Sequence, residues 1–150
     1  MKCQNKRSDR FSSLAGQFKV TRVTDGDAVK VTGNDVKMTI RLVGIDAPET
    51  SKKKNEPGQP FSQKSTKHLA GLVLNKSVEI KSYGTDRYGR TLGVVFVDGK
   101  DMNLEMVKAG LAEVYRGKPA KGLDLKSYWN AETEAKKTGI GMWSLGDKYI

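Results

Sequence analysis

A single cysteine, Cys3, and a single histidine, His68, occur in the 150-residue chain. One cysteine rules out an intrachain disulfide, and one of each leaves too few ligands for a Cys/His zinc centre. The lone histidine also narrows mechanism. His68 lies in the helical-looking stretch Ser65-Thr66-Lys67-His68-Leu69-Ala70, far in sequence from any cluster of acids. A general base is therefore sought among the carboxylates. Long apolar runs are missing too; none approaches the roughly 20 residues that span a bilayer. Residues 1–15 carry Lys2, Lys6, Arg7 and Arg10 without an apolar stretch, so they do not read as a signal peptide. Cys3 fits either the lipid-attachment cysteine of a trimmed exported protein or an incidental thiol. Acids are scarce: 17 Asp and Glu stand against 27 Lys and Arg, a formal charge of +10. Such an excess draws polyanions and speeds their encounter. A basic surface kept for solubility is the alternative, and charge alone does not separate the two.

Four of the 17 acids fall in two clusters. Asp25-Gly26-Asp27 forms one cluster and Asp46-Ala47-Pro48-Glu49 a second, with Arg41 just before it and Arg90 closing Thr85-Asp86-Arg87-Tyr88-Gly89-Arg90. A chain this basic has little reason to gather carboxylates unless they hold a cation. A cation beside two arginines is equipment for work on a phosphodiester. Calcium and magnesium take hard oxygen ligands, which suits Asp27 and Asp46 if their strands meet at one rim. Ordinary turn acids are the alternative, and Asp25 is read as the turn-forming aspartate before Gly26. Pro48 keeps Ala47 extended, so Asp46 and Glu49 are held in a defined relation. A carboxylate at Glu49 can orient or deprotonate a water. Arg41 and Arg90 can make paired hydrogen bonds to phosphate oxygens, whereas a simple surface ion pair would be served as well by lysine. Arg87, Tyr88 and Tyr115 are candidates for holding substrate, since aromatic rings stack on unpaired bases. Half-buried packing is the other reading of each tyrosine. Lys52, Lys53 and Lys54 read as an electrostatic arm or a solvated loop.

Alternation predicts strands over 17–23, 27–33 and 37–45, then 78–81 and 91–97. Period two puts Arg41 on the face opposite Ile40 and Leu42. Residues 61–74 read as a helix, Asp98-Gly99 as a hairpin, and Asn103 and Gly110 as the N-cap and C′ residue of a second helix. Leu123 to Lys137 reads as the last helix. Short strands with helices not interleaved favour an α+β fold, mainly a small β-barrel with helices packed on it. A five-stranded Greek-key barrel of the OB type fits the count.

The segments DGDAV (25–29), RLVGIDAPET (41–50), TDRYGR (85–90), DGKDMNLEMVKAGLAEVY (98–115) and GMW (141–143) resemble, in order and spacing, the staphylococcal nuclease (thermonuclease) family. The match covers 17–145, within a domain of 16–146 preceded by a flexible segment of 1–15. The resemblance implies an OB-fold barrel with three helices. It also implies an exported, calcium-dependent phosphodiesterase that acts on DNA and RNA, preferably single-stranded; a cytoplasmic protein is the alternative, and a monomer is the default. In that family water attacks phosphorus in line, the bond to the 5′ oxygen breaks and 3′-phosphates remain. Carried over by motif position, Asp27, Asp46 and the carbonyl of Ala47 would hold calcium. Glu49 would activate water, and Arg41 and Arg90 would stabilise the transition state. Arg87 and Tyr88 would contact a terminal phosphate, with Tyr115 under a base or sugar. The chain departs from the best-known member at Ala28 and Ala47, where that protein has threonines, and at Arg87, where it has lysine. The rival reading is a non-catalytic OB-fold module that only binds nucleic acid.

Overall fold

In the computed structural model, which describes residues 13–50 and 58–148, the alternating stretches become strands. The order is β1 (Ser13–Asp25), β2 (Ala28–Gly33), β3 (Val36–Leu42), β4 (Ile45–Asp46), α1 (Ser62–Val73), β5 (Ser77–Thr85), β6 (Thr91–Val97), β7 (Lys100–Asp101), α2 (Met102–Lys108), β8 (Glu113–Val114) and α3 (Lys126–Thr138). A 3-10 helix, Gly141–Lys148, follows. Strands β3-β2-β1-β5-β6 are antiparallel neighbours, and a parallel pairing of β3 with β6 closes them. In that closure Ile40 faces Thr91, Arg41 faces Leu92 and Leu42 faces Gly93. The result is the expected five-stranded OB-type barrel with three α-helices. Strand β1 starts at Ser13 rather than 17, and β5 extends to Thr85 rather than 81. Cys3 and Lys52, Lys53 and Lys54 lie outside the described residues.

Inward positions follow the pleat. Val29 and Val31 on β2, Ile40 and Leu42 on β3, and Val78 and Ile80 on β5 are all buried in one apolar cluster, while Lys30 and Glu79 face out. Each fully buried aliphatic side chain contributes about 1.5–3 kcal/mol by leaving water. Helix α1 turns Ser62, Ser65, Leu69 and Val73 inward, a helical period laid on the barrel. His68 is exposed on its outer face.

Two expected helix starts are corrected. Asp101, not Asn103, caps α2: its carboxylate accepts from Leu104 N at 2.8 Å. The Asp98–Gly99 turn, with φ of 50° and 79°, is tight enough that the chain enters the helix two residues early. Asn103 is drawn to the core instead. Its Oδ1 accepts from Val95 N at 3.1 Å, and its Nδ2 donates to Val43 O at 2.9 Å and Gly93 O at 3.1 Å. Gly110, with φ of 72°, ends α2 as expected. Helix α3 begins at Lys126 rather than Leu123, because Leu123 N is spent on a turn to Ala120 O and Asp124 accepts from Lys126 N.

Asn103→Ala is expected to cost about 2–4 kcal/mol, since the Val95 N–H and Val43 carbonyl lose a buried partner at about 1–3 kcal/mol each. Gly93 O keeps the Val43 N–H. Urea unfolding checks this; a loss below about 1 kcal/mol would mean that water replaces the amide.

Candidate active site

The closed barrel brings the two acid clusters together at one rim. Ala28 pairs with Arg41 across β2 and β3, and Leu42 N donates to Asp27 O at 2.8 Å, so Asp27 sits beside the end of β3. The chain then turns through Gly44, at φ of 84°, and returns as β4, which ends at Asp46. Arg41 fills the gap. Its Nη1 donates to Leu42 O at 2.7 Å and Ile45 O at 2.9 Å. Its Nη2 lies 3.5 Å from Asp27 Oδ2 and 3.5 Å from Asp46 Oδ1. Asp27 Oδ2 also accepts from Ala47 N at 2.8 Å. Ile40 and Leu42 are buried while Arg41 stands on the other face, as period two requires.

One guanidinium is therefore shared between two carboxylates. Burial pushes the Asp27 carboxyl above the usual carboxylate range, against the pull of Arg41 and the Ala47 amide. Burial raises Asp46 as well; Arg41 opposes the rise and the Glu49 charge adds to it. The rim is short of positive charge in a protein with a large excess of it.

Glu49 is exposed at the edge of this cluster. Its N–H donates to Gln59 Oε1 at 2.8 Å and its carbonyl accepts from Gln59 N at 2.9 Å, so its backbone is clamped while its carboxylate is not. Asp25 accepts from Thr50 Oγ1 at 2.6 Å, which ties the two acid loops together. Gly26 lies so close to α1 that a Cβ there would collide with the Ser65 side chain and stand 2.9 Å from Ala47 Cβ. Ser65 in turn donates to Leu111 O at 2.7 Å, which fixes α1 against the rim.

The second arginine is set by the turn between β5 and β6. Asp86 accepts from Tyr88 N at 2.9 Å, Arg90 N at 3.0 Å and Arg90 Nε at 2.8 Å. Burial works against its charge, but the Arg90 and Tyr88 bonds prevail and hold its carboxyl below the usual range. A depressed carboxyl stabilises the fold above its unfolded value near 3.8 and loses that contribution as pH falls through the folded value. Asp86→Asn is expected to lose about 1 kcal/mol at neutral pH. The gap from the parent should shrink as pH drops below about 4. Melting curves across that range check it; a gap independent of pH would show that ionised Asp86 does not organise the turn.

Arg41, Arg87, Tyr88, Arg90, Tyr115 and Lys118 line a groove of about 440 Å³. Tyr88 is exposed, with the Arg87 guanidinium 5.1 Å and that of Arg90 5.6 Å from its ring centre. Tyr115 is also exposed and is pinned by its N–H to Gly44 O at 2.9 Å. Asp27, Asp46 and Glu49 are not among the lining residues, so Arg41 is the junction between carboxylates and groove.

Among the described residues, no group of three or more His, Cys, Asp or Glu side chains gathers as metal ligands. The donors present fit a hard cation held openly: two carboxylates, each with one oxygen clear of Arg41, beside the Ala47 backbone.

Three residues behind this rim were not singled out from the sequence. Glu113 stands opposite Asp46 in the β4–β8 pair. Glu132 is buried on α3, where one oxygen accepts from Val114 N at 2.8 Å and both receive Arg116 at 3.2–3.3 Å. Arg116 also lies 3.6 Å from Glu113. Glu132 thus anchors β8, and through it β4 and Asp46. The signal was present: Tyr128, Glu132 and Ala135 follow the helical period of the buried stripe, and an acid on that stripe must be paired.

Among the described residues no helix is long and apolar enough to cross a membrane. The family described as staphylococcal nuclease homologue matches residues 39–145. A protein of Shigella flexneri named micrococcal nuclease is 36% identical over 136 residues, covering 83% of this chain and 72% of its own. An uncharacterized endonuclease of Escherichia coli O157:H7 is 38% identical over 133 residues, covering 86% and 78%. One of Haemophilus influenzae is 39% identical over 127 residues, covering 84% of this chain and 65% of its own, just under two thirds. A family match that runs from within β3 through β4, β5, β6 and all three α-helices, joined to relatives of this identity, shows that the chain belongs to the staphylococcal nuclease family.

Proposed function

We propose that this protein is a calcium-dependent, sugar-nonspecific nuclease that hydrolyses DNA and RNA, single strands by preference, and leaves 3′-phosphates. The observation that carries the reading is Arg41, wedged between two under-neutralised carboxylates on one side and a groove of arginines and tyrosines on the other. Asp27, Asp46 and the Ala47 carbonyl would hold the calcium, which supplies positive charge for a phosphate oxygen. Glu49, exposed and unclamped at its carboxylate, takes a proton from the attacking water. Arg41 and Arg90 donate to the phosphate oxygens as charge builds on them, from positions already fixed by Leu42 O, Ile45 O and Asp86. Arg87 and Tyr88 receive a terminal phosphate, and Tyr115 offers its ring to a base. Exposed aromatic faces suit unpaired bases, which supports the single-strand preference.

A non-catalytic binding module has no use for Asp27, Asp46 and Glu49, which would repel phosphates. Digestion of denatured DNA with calcium, and in parallel with a chelator, followed by end-group analysis, separates the two. Calcium-dependent cleavage to 3′-phosphates is expected. Binding without cleavage under any divalent metal would favour the module.

A further inference from the structure

Three aromatic side chains are exposed among the large hydrophobic residues described: Tyr88, Tyr115 and Trp129. The first two line the groove. Trp129 lies just past it. Leu125 also lines the groove, and Trp129 N donates to Leu125 O at 2.9 Å, so the tryptophan stands one helical turn farther along α3, about 6 Å of rise, on the same face.

Arg116, the residue after Tyr115, reaches over Trp129 with its guanidinium 5.0 Å from the ring centre. That guanidinium is not free to wander. Glu132 grips both of its terminal nitrogens, and Glu132 is itself buried and bonded to Val114 N. The indole is thus backed on one side by a fixed cation, yet 40% of the residue remains exposed. A ring needed only for packing would be covered. A ring held rigid, backed by charge and open to solvent is a stacking platform, because a base entering on it loses little side-chain freedom. The surrounding segment suits a phosphate backbone: Lys118, Lys121 and Lys126 stand against the single acid Asp124 between 117 and 126, and all are exposed.

We propose that Trp129, backed by Arg116, is a second base-stacking position on the nucleic-acid track, beyond the groove that holds the scissile phosphate. The proposal rests on the nuclease reading above. It makes strand length a determinant of affinity, since only a strand long enough to leave the groove reaches the indole.

Tryptophan fluorescence reports on it directly. The chain has two tryptophans, and the other, Trp143, is buried. With a chelator present, a thymidine dodecamer should quench the emission and a trinucleotide should not. Trp129→Phe should abolish the quench while retaining most of the affinity. Trp129→Ala should weaken dodecamer binding about tenfold and leave calcium-dependent hydrolysis of the trinucleotide unchanged. Equal dodecamer affinity in Trp129→Ala, a quench that survives in Trp129→Phe, or no dodecamer binding by the parent overturns the subsite. An unaffected dodecamer with capture of a protein partner instead would assign the tryptophan to a protein interface, which also overturns it. The nuclease reading fails separately, by an absence of cleavage at every length and with every divalent metal.

Discussion

Arg41→Ala is expected to lower turnover about 10²–10³-fold while changing substrate affinity far less, because a fixed donor to developing charge acts mainly in the transition state. The geometry predicts that a shorter or differently shaped cation would not replace it. One nitrogen is occupied by the Leu42 and Ile45 carbonyls, which orient the guanidinium plane. The other faces Asp27 and Asp46, and Arg41 as a residue lines the groove. Lysine has no fork with which to do both, so Arg41→Lys should rescue little. Steady-state kinetics on denatured DNA, with binding measured under chelation, separates the two effects. Near-normal turnover in Arg41→Ala would remove this residue from the transition state. The variant also leaves buried Asp27 and half-exposed Asp46 without their shared counter-charge, so the metal-free protein should be less stable above the usual carboxylate range. The sign follows from the raised carboxyls: protonating them relieves the penalty, so the loss should diminish as pH falls toward about 4.

Glu49→Gln is expected to remove about 10²–10⁴ of the rate, the usual worth of a positioned general base. The exchange keeps shape and removes charge. Glu49 is exposed, and its fixed contacts are made by its backbone to Gln59. Stability should therefore stay within about 0.5 kcal/mol of the parent. Calcium binding, measured by calorimetry, should persist because Asp27 and Asp46 are intact. Full activity with unchanged pH dependence would sink the assigned base. Loss of calcium binding would show that Glu49 is a ligand instead.

Much of the fold was legible in short-range pattern. Alternation at Val29, Val31, Ile40 and Leu42 marked both the strands and their buried face, and Asp98-Gly99 marked the hairpin into β7. The helix starts were less legible. Asn103 and Asp101 are both good caps by residue type, and the choice between them turned on whether a buried amide was needed by Val95, Val43 and Gly93. Those partners lie on β6 and in the turn after β3, which no local reading of 100–110 contains. Glu132 was missed for a related reason, since its partners Val114 and Arg116 lie 16–18 positions away.

By itself the sequence determined which chemistry was available: no intrachain disulfide, no cysteine–histidine metal site, one distant histidine, and two small acid clusters, one just after Arg41. It also determined which strand face carries Arg41, because that depends only on the two-residue pleat. Only the tertiary structure decided that Asp27 and Asp46 share one guanidinium, that Arg41 divides the acids from the groove, and that Trp129 stands open beside Arg116. Each of these depends on barrel closure, the parallel pairing of β3 with β6 across some fifty positions of chain, and on α3 docking against β8. Pleat and helical period are properties of adjacent residues; convergence at a rim is a property of which distant strands bury one another.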